Sequence, residues 1–257
     1  MPTIHLPDHS PAVRNRPATR ALAQAAVAAQ RAPSIVSTQP WRWRIHDESA
    51  DLVADREQPL SAADPDGRML TVSCGIALHH ACAALAGTGA VPRVDRLPDP
   101  SAPDLVAVVR VAHFGTADPE AVRLLQAIAM RGTDRRPNAC VTVSDEVLDL
   151  LCAAAGKQGA HLRLLRREEV GPLAGAADRA ADREGARYAL LVSDTDDVPG
   201  WLAAGEALSA VLLTATGYRL GASPVSEVPG ARRTLYWMLG GEGHPVLALR
   251  LGVAPTA

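Results

Sequence analysis

Three stretches of this sequence place chemically capable residues at useful spacings. Residues 130–137 read MRGTDRRP, so Arg131 and Arg135 flank Thr133 directly after the amphipathic segment DPEAVRLLQAIA. Two guanidinium groups and a hydroxyl make a credible cradle for a dianion such as phosphate, because arginine presents its N–H donors in a rigid fork. The same residues read equally as a solvated basic helix end that complements the helix dipole. The second stretch, SCGIALHHAC, offers two cysteines and two histidines. On a helix His79 and Cys82 share a face while His80 is turned away by roughly 100°, so a core helix with buried thiols explains them better than a metal site, and no metal is expected. The third, residues 31–45, RAPSIVSTQPWRWRI, sets two of the four tryptophans beside a Ser/Thr/Gln cluster. Taken alone, it is a helix-to-strand connection with aromatic anchors.

Several mechanisms drop out. The chain has no GxSxG elbow and no GxxxxGK[ST] loop, and GTGAVP follows a helical pattern and lacks the third glycine of a dinucleotide fingerprint. A net charge of −2, with 47% hydrophobic and 21% charged residues, gives no electrostatic case for nucleic acid or a membrane surface, and points to a small-molecule partner. The first thirty residues lack an apolar core with a cleavage site, and no apolar run approaches the ~20 residues that span a bilayer. Cys74, Cys82, Cys140 and Cys152 show no paired spacing, as expected of free thiols in a reducing compartment. These features together predict a cytoplasmic protein.

The elements that position the three stretches follow from pattern. Residues 1–17 carry four prolines and predict an extended arm. ATRALAQAAVAAQRAP predicts a helix stopped by Pro33, and WRWRIHD with ADLVADRE predicts a strand hairpin. DPDGRMLTVSCGIALHHACAALAGTGA begins with turn chemistry, continues as a helix of roughly 18 residues and breaks at Gly87 and Gly89. A strand, DLVAVVRVAHF, follows. The same order recurs in WLAAGEALSAVLLTATGYRLGASPV and HPVLALRLGV, roughly 130 to 140 residues later, far beyond a solenoid period. The recurrence predicts two halves, residues 18–116 and 117–257, and a single chain that imitates a two-fold dimer.

The segments APSIVSTQPWRW, DPDGRMLTVSCGIALHH, RGTDRRP and WLAAGEALSAVLLTATGYRLGASPVS resemble, in order and over most of residues 31–253, the nitroreductase-like FMN-dependent flavoprotein superfamily, specifically its actinobacterial Acg-type branch. The resemblance implies a nitroreductase-like α+β fold with antiparallel sheets and surrounding helices, internally duplicated as a fused pseudo-dimer. It implies a flavin-facing loop in which Ser34 and Ser37 bond the pyrimidine edge or ribityl chain. That loop runs from Pro33 to Trp41 against the flavin, with Gln39 and Pro40 shaping its turn and Trp41 packing beneath it. Arg131, Thr133 and Arg135 would grip the FMN phosphate, and the loop 223–227, with Ser223, Pro224, Ser226 and Glu227, would present backbone N–H groups to the flavin N5 region. The implied activity passes two electrons from NAD(P)H through FMN to a nitroaromatic or quinone-type acceptor, with no catalytic side chain needed. An FMN storage protein and a relic without cofactor are the readings of other classes. Each motif occurs once per chain, which predicts a monomer holding one FMN; a homodimer exchanging loops is the alternative.

Ser37 stands where the family usually has asparagine, an amide that donates and accepts at once. Ser37→Asn is therefore expected to tighten FMN binding by about 0.5–1.5 kcal/mol or leave it unchanged. A fluorescence titration checks this, and a large loss of affinity would put the loop elsewhere.

Overall fold

The structure is a computed structural model that describes residues 4–5, 16–35, 39–56, 64–131, 143–169, 187–224, 235–236 and 239–253. The chain divides into two compact units, Met1–Ala129 and Met130–Ala257.

In the first unit, helix α1 (Pro17–Ala29) opens on a proline in its first turn, where the fixed φ suits a helix and no N–H is missed. Strands β2 (Trp41–Ile45) and β3 (Ser49–Ala54) form the expected hairpin, closed by His46 N–H donating to Ser49 O at 2.8 Å. Helix α2 (Arg68–Gly87), strands β4 (Ala90–Arg96) and β5 (Leu105–Phe114) and helix α3 (Pro119–Met130) follow. With the strand β1 (Ile4–His5) at one edge, the sheet order is β1-β2-β3-β5-β4. Trp43 faces Leu52 and Leu52 faces Ala107 in register, so one row of buried side chains crosses the sheet. The edge strand β1 (Ile4–His5) runs parallel to β2. Two residues of the Pro-rich arm thus join the sheet instead of staying extended and unpacked. The sequence pattern missed β4 because Pro92 interrupts it. At a sheet edge, with a register shift between Val91 and Pro92, the missing N–H does no harm.

Helix α2 is buried on almost every side, from Arg68 and Leu70 through Ala81 to Leu85, the pattern of a core helix and not of a surface one. Its start is fixed by Asp64, whose carboxylate accepts from Met69 N–H at 3.0 Å and Leu70 N–H at 2.9 Å. Its end is fixed by Gly89, at φ 82°, where a Cβ would stand 2.2 Å from Gly115 O. The divide between the units falls at the end of α3, whose Ala121 and Leu125 crowd Gly87.

The second unit contains α4 (Asp145–Gly156), β6 (His161–Leu164), a 3₁₀ turn (Arg167–Glu169), β7 (Arg187–Ser193), α5 (Val198–Gly217), β8 (Leu220–Pro224) and β9 (His244–Val253). Its antiparallel sheet has the order β6-β7-β9-β8. Tyr188 to Ser193 are all buried, and one alternating set, Tyr188, Leu190 and Val192, clusters with Leu165, Leu235, Leu239 and Ala248. A strand covered on both faces reads as a continuous apolar run without alternation. Asp197 caps α5 by accepting from Gly200 N–H at 2.9 Å.

The two units share one plan: helix, two strands, a 20-residue core helix and two more strands, with the strands ordered first, second, fourth, third. The core helices begin 130 positions apart, at Arg68 and Val198, and end 130 apart, at Gly87 and Gly217. Each leads through a residue of positive φ, Gly89 or Arg219, into the next strand. Both helices are long and apolar enough to cross a membrane by length and composition, which corrects the expectation that no apolar run is so long. Most of each is buried inside the protein, as in the core helices of globular folds.

His79 lies within α2, and burial, reinforced by the charge of Arg96, holds its imidazole down at about 4 against an ordinary 6.5. A folded-state value below the unfolded one means stability that is present above about pH 6.5 and lost as pH falls toward about 4. The loss attributable to His79 is on the order of 3 kcal/mol. Urea denaturation across this range should show a steeper decline for the native chain than for His79→Gln.

Candidate functional site

The described residues between α1 and β2, 30–35 and 39–40, are held by their own polar groups. After Ala29 the chain makes successive turns, with Gln30 N–H on Val27 O, Arg31 N–H on Ala28 O and Ala32 N–H on Ala29 O. Carbonyls at a helix C-terminus lack partners within the helix and need donors from elsewhere. Gln39 supplies them: its side-chain amide donates to Gln30 O at 2.6 Å and Ala32 O at 3.3 Å. To turn back in this way Gln39 adopts φ 47°, the left-handed region. Its backbone N–H donates to Ser34 Oγ at 3.2 Å, so Ser34 accepts within the loop and keeps its own proton for another partner.

The loop is also fastened to the core helix. Ile35 N–H donates to Ser73 Oγ at 3.1 Å, and the Cys74 thiol points to Pro40 O at 3.8 Å. Pro40 O also accepts from Asp55 N–H at 3.0 Å, which ties the loop exit to the end of β3. Burial pushes the Cys74 thiol up to about 12, so it is an inert packing group at neutral pH. Trp41 and Trp43, in the strand that follows, are each 1% exposed, and neither indole N–H has a hydrogen-bond partner among the described residues. Each buried orphan donor costs about 1–3 kcal/mol.

Pro33, Ser34, Gln39 and Trp41 are thus brought together in one loop and its first strand residue. Arg131, the residue after α3, belongs to the second unit and is half-buried, and burial lowers its guanidinium pKa from the ordinary value. Ser223 and Pro224 close the edge strand β8, paired with Arg250 and Leu249. Ser37, Thr133, Arg135, Ser226 and Glu227 lie outside the described residues. Among the described residues no cluster of three His, Cys, Asp or Glu side chains could hold a metal ion. Sequence reasoning missed Ser73, which is a hydroxyl in an apolar helix. Its only signal was that a serine there needs a partner.

The left-handed backbone at residue 39 and the double cap compete in their effect on stability. Gln39→Ala removes the cap and keeps the strain, and is expected to cost about 1–2 kcal/mol. Gln39→Gly removes both and should cost less, since the left-handed conformation alone costs an L-residue about 1–2 kcal/mol. Thermal denaturation of the two variants checks the order, and equal stability of Gln39→Ala and the native chain would remove the bracing role.

Comparison with known proteins places this architecture. Rv3131 of Mycobacterium tuberculosis strain H37Rv, named as an NAD(P)H nitroreductase, is 32% identical over 287 residues, covering 88% of this chain and 83% of its own. Acg of the same organism, named in the same way, is 29% identical over 289 residues, covering 88% and 86%. Among solved structures, Bacillus megaterium NfrA2 matches 52% of this chain and 67% of its own at 19% identity, with a TM-score of 0.45. No family model matches the chain. A braced polar loop on a dry core helix, in a chain whose relatives align along most of their length, leads to one conclusion: the chain belongs to the nitroreductase-like family, in the branch that contains Rv3131 and Acg.

Proposed function

We propose that this protein is an FMN-dependent NAD(P)H oxidoreductase of the nitroreductase type, acting in the cytoplasm on a small nitroaromatic or quinone-type acceptor. The observation that carries the reading is kinship at 32% identity along 83% of a relative named as an NAD(P)H nitroreductase. The donor set fits a flavin. Ser34 is partly exposed and keeps a hydroxyl proton to give, while Ser73 and Cys74, which meet the loop, and Trp41, which follows it, are buried. When bound, FMN would supply the two-electron chemistry between NAD(P)H and the acceptor.

The chain's own contribution is to bind and orient. Ser34 and Ser37 would donate to the ribityl chain or pyrimidine edge. Arg131, Thr133 and Arg135 would hold the terminal phosphate. A guanidinium already half-desolvated gains more from an anion than one in water does, because the local dielectric is lower. In the loop 223–227, Ser223, Ser226 and Glu227 would present backbone N–H groups while Pro224, which has none, would shape the turn, and no side chain is required to move a proton.

The single copy of each motif, the matched helices 130 positions apart and the common strand order support an internal duplication. One chain would then hold one FMN and act as a monomer.

The test starts with colour. The purified protein, incubated with FMN and desalted, should retain near-stoichiometric flavin and bleach on addition of NADH or NADPH. Arg131→Ala should weaken FMN binding about tenfold or more, the loss that goes with a charge-assisted hydrogen bond. A chain that takes up no flavin refutes the reading, and one that takes it up but is not bleached by either nucleotide is a storage protein.

A further inference from the structure

The polar contact between α2 and the loop is unusual in its directionality. Ser73 is fully buried, and its hydroxyl donates to Met69 O at 2.7 Å, one turn back along the helix. Its proton is therefore committed, and the oxygen can only accept from Ile35 N–H, which approaches at 3.1 Å. A serine bonded back to its own helix is neutral or slightly unfavourable for the helix itself. Its benefit lies in the loop, where it satisfies a backbone donor that would otherwise be left without a partner against an apolar helix. The neighbouring Cys74 contacts Pro40 O at the other end of the loop, but through a thiol, a weak donor. Ser34, whose hydroxyl the flavin reading uses, directly precedes Ile35.

We propose that Ser73 is a positioning residue for the flavin-facing loop: its committed hydroxyl fixes the Ile35 backbone on the core helix and thereby sets where Ser34 stands. For its ligand the inference rests on the flavin reading above. The tether itself is a property of the protein without flavin. A loop fixed in advance loses less conformational entropy when a ligand binds, so the tether acts on affinity and on flavin orientation.

Three measurements on the full chain test this. Amide exchange at Ile35 in the unliganded native protein should be slow, accelerated in Ser73→Ala and unchanged in Cys74→Ala, which perturbs the adjacent buried position but leaves the Ile35 bond intact. Ser73→Ala should weaken FMN binding about two- to tenfold, the loss of one neutral hydrogen bond. The visible circular dichroism of bound FMN should change in Ser73→Ala, reporting altered orientation, which a loss of global stability alone would not produce. Fast exchange of Ile35 in the native chain overturns the proposal even if Ser73→Ala does not fold. Native affinity and native dichroism in Ser73→Ala overturn it too. A native chain that binds no FMN defeats the flavin reading alone, and Ile35 exchange in the native and Ser73→Ala proteins then decides the tether.

Discussion

Helix α2 has almost no solvent-facing side, and that burial sets the terms for every polar group near it. A core helix offers a loop only apolar surface, against which a backbone N–H or C=O is costly to leave without a partner. The chain answers with two adjacent polar positions on α2. Ser73 takes Ile35 N–H near the loop entry and Cys74 meets Pro40 O near its exit. Asp64 satisfies two N–H groups where the helix begins. The same dryness drives the His79 imidazole toward its neutral form and the Cys74 thiol away from thiolate.

Bracing within the loop completes what the helix starts. Gln39 takes a left-handed backbone so that its amide can reach carbonyls at the end of α1 and its N–H can reach Ser34. The strain of that conformation is offset by contacts that fix both helix end and loop. The two buried indoles of Trp41 and Trp43, without hydrogen-bond partners among the described residues, show that packing outweighs polar satisfaction in β2.

The second unit repeats the plan with different side chains. Where α2 carries Ile76 and His79, the positions 130 later in α5 are Glu206 and Ser209, both buried. Gly89 is matched by Arg219, which adopts φ 58° although it is not glycine. The same order of elements thus carries different buried polar groups, since a fold constrains burial and chain direction more tightly than it constrains which polar group occupies a position.

By itself, the sequence determined the elements whose signals are local. Pro33 and the alanine run mark α1, the alternation of Trp41, Trp43 and Ile45 marks β2, and the apolar run closed by Gly87 and Gly89 marks α2. The recurrence of that last pattern gave the repeated order. Periodicity and turn chemistry act within a few residues, so they survive without knowledge of neighbours. The tertiary structure alone decided the rest. It made Pro92 acceptable by placing β4 at a sheet edge, and drew Ile4 and His5 to the other edge. It also turned Ser73, a serine in an apolar helix, into the anchor of a loop 38 positions away. Those outcomes depend on which surfaces meet, and hydrogen bonds between residues far apart in the chain leave no periodic trace in sequence.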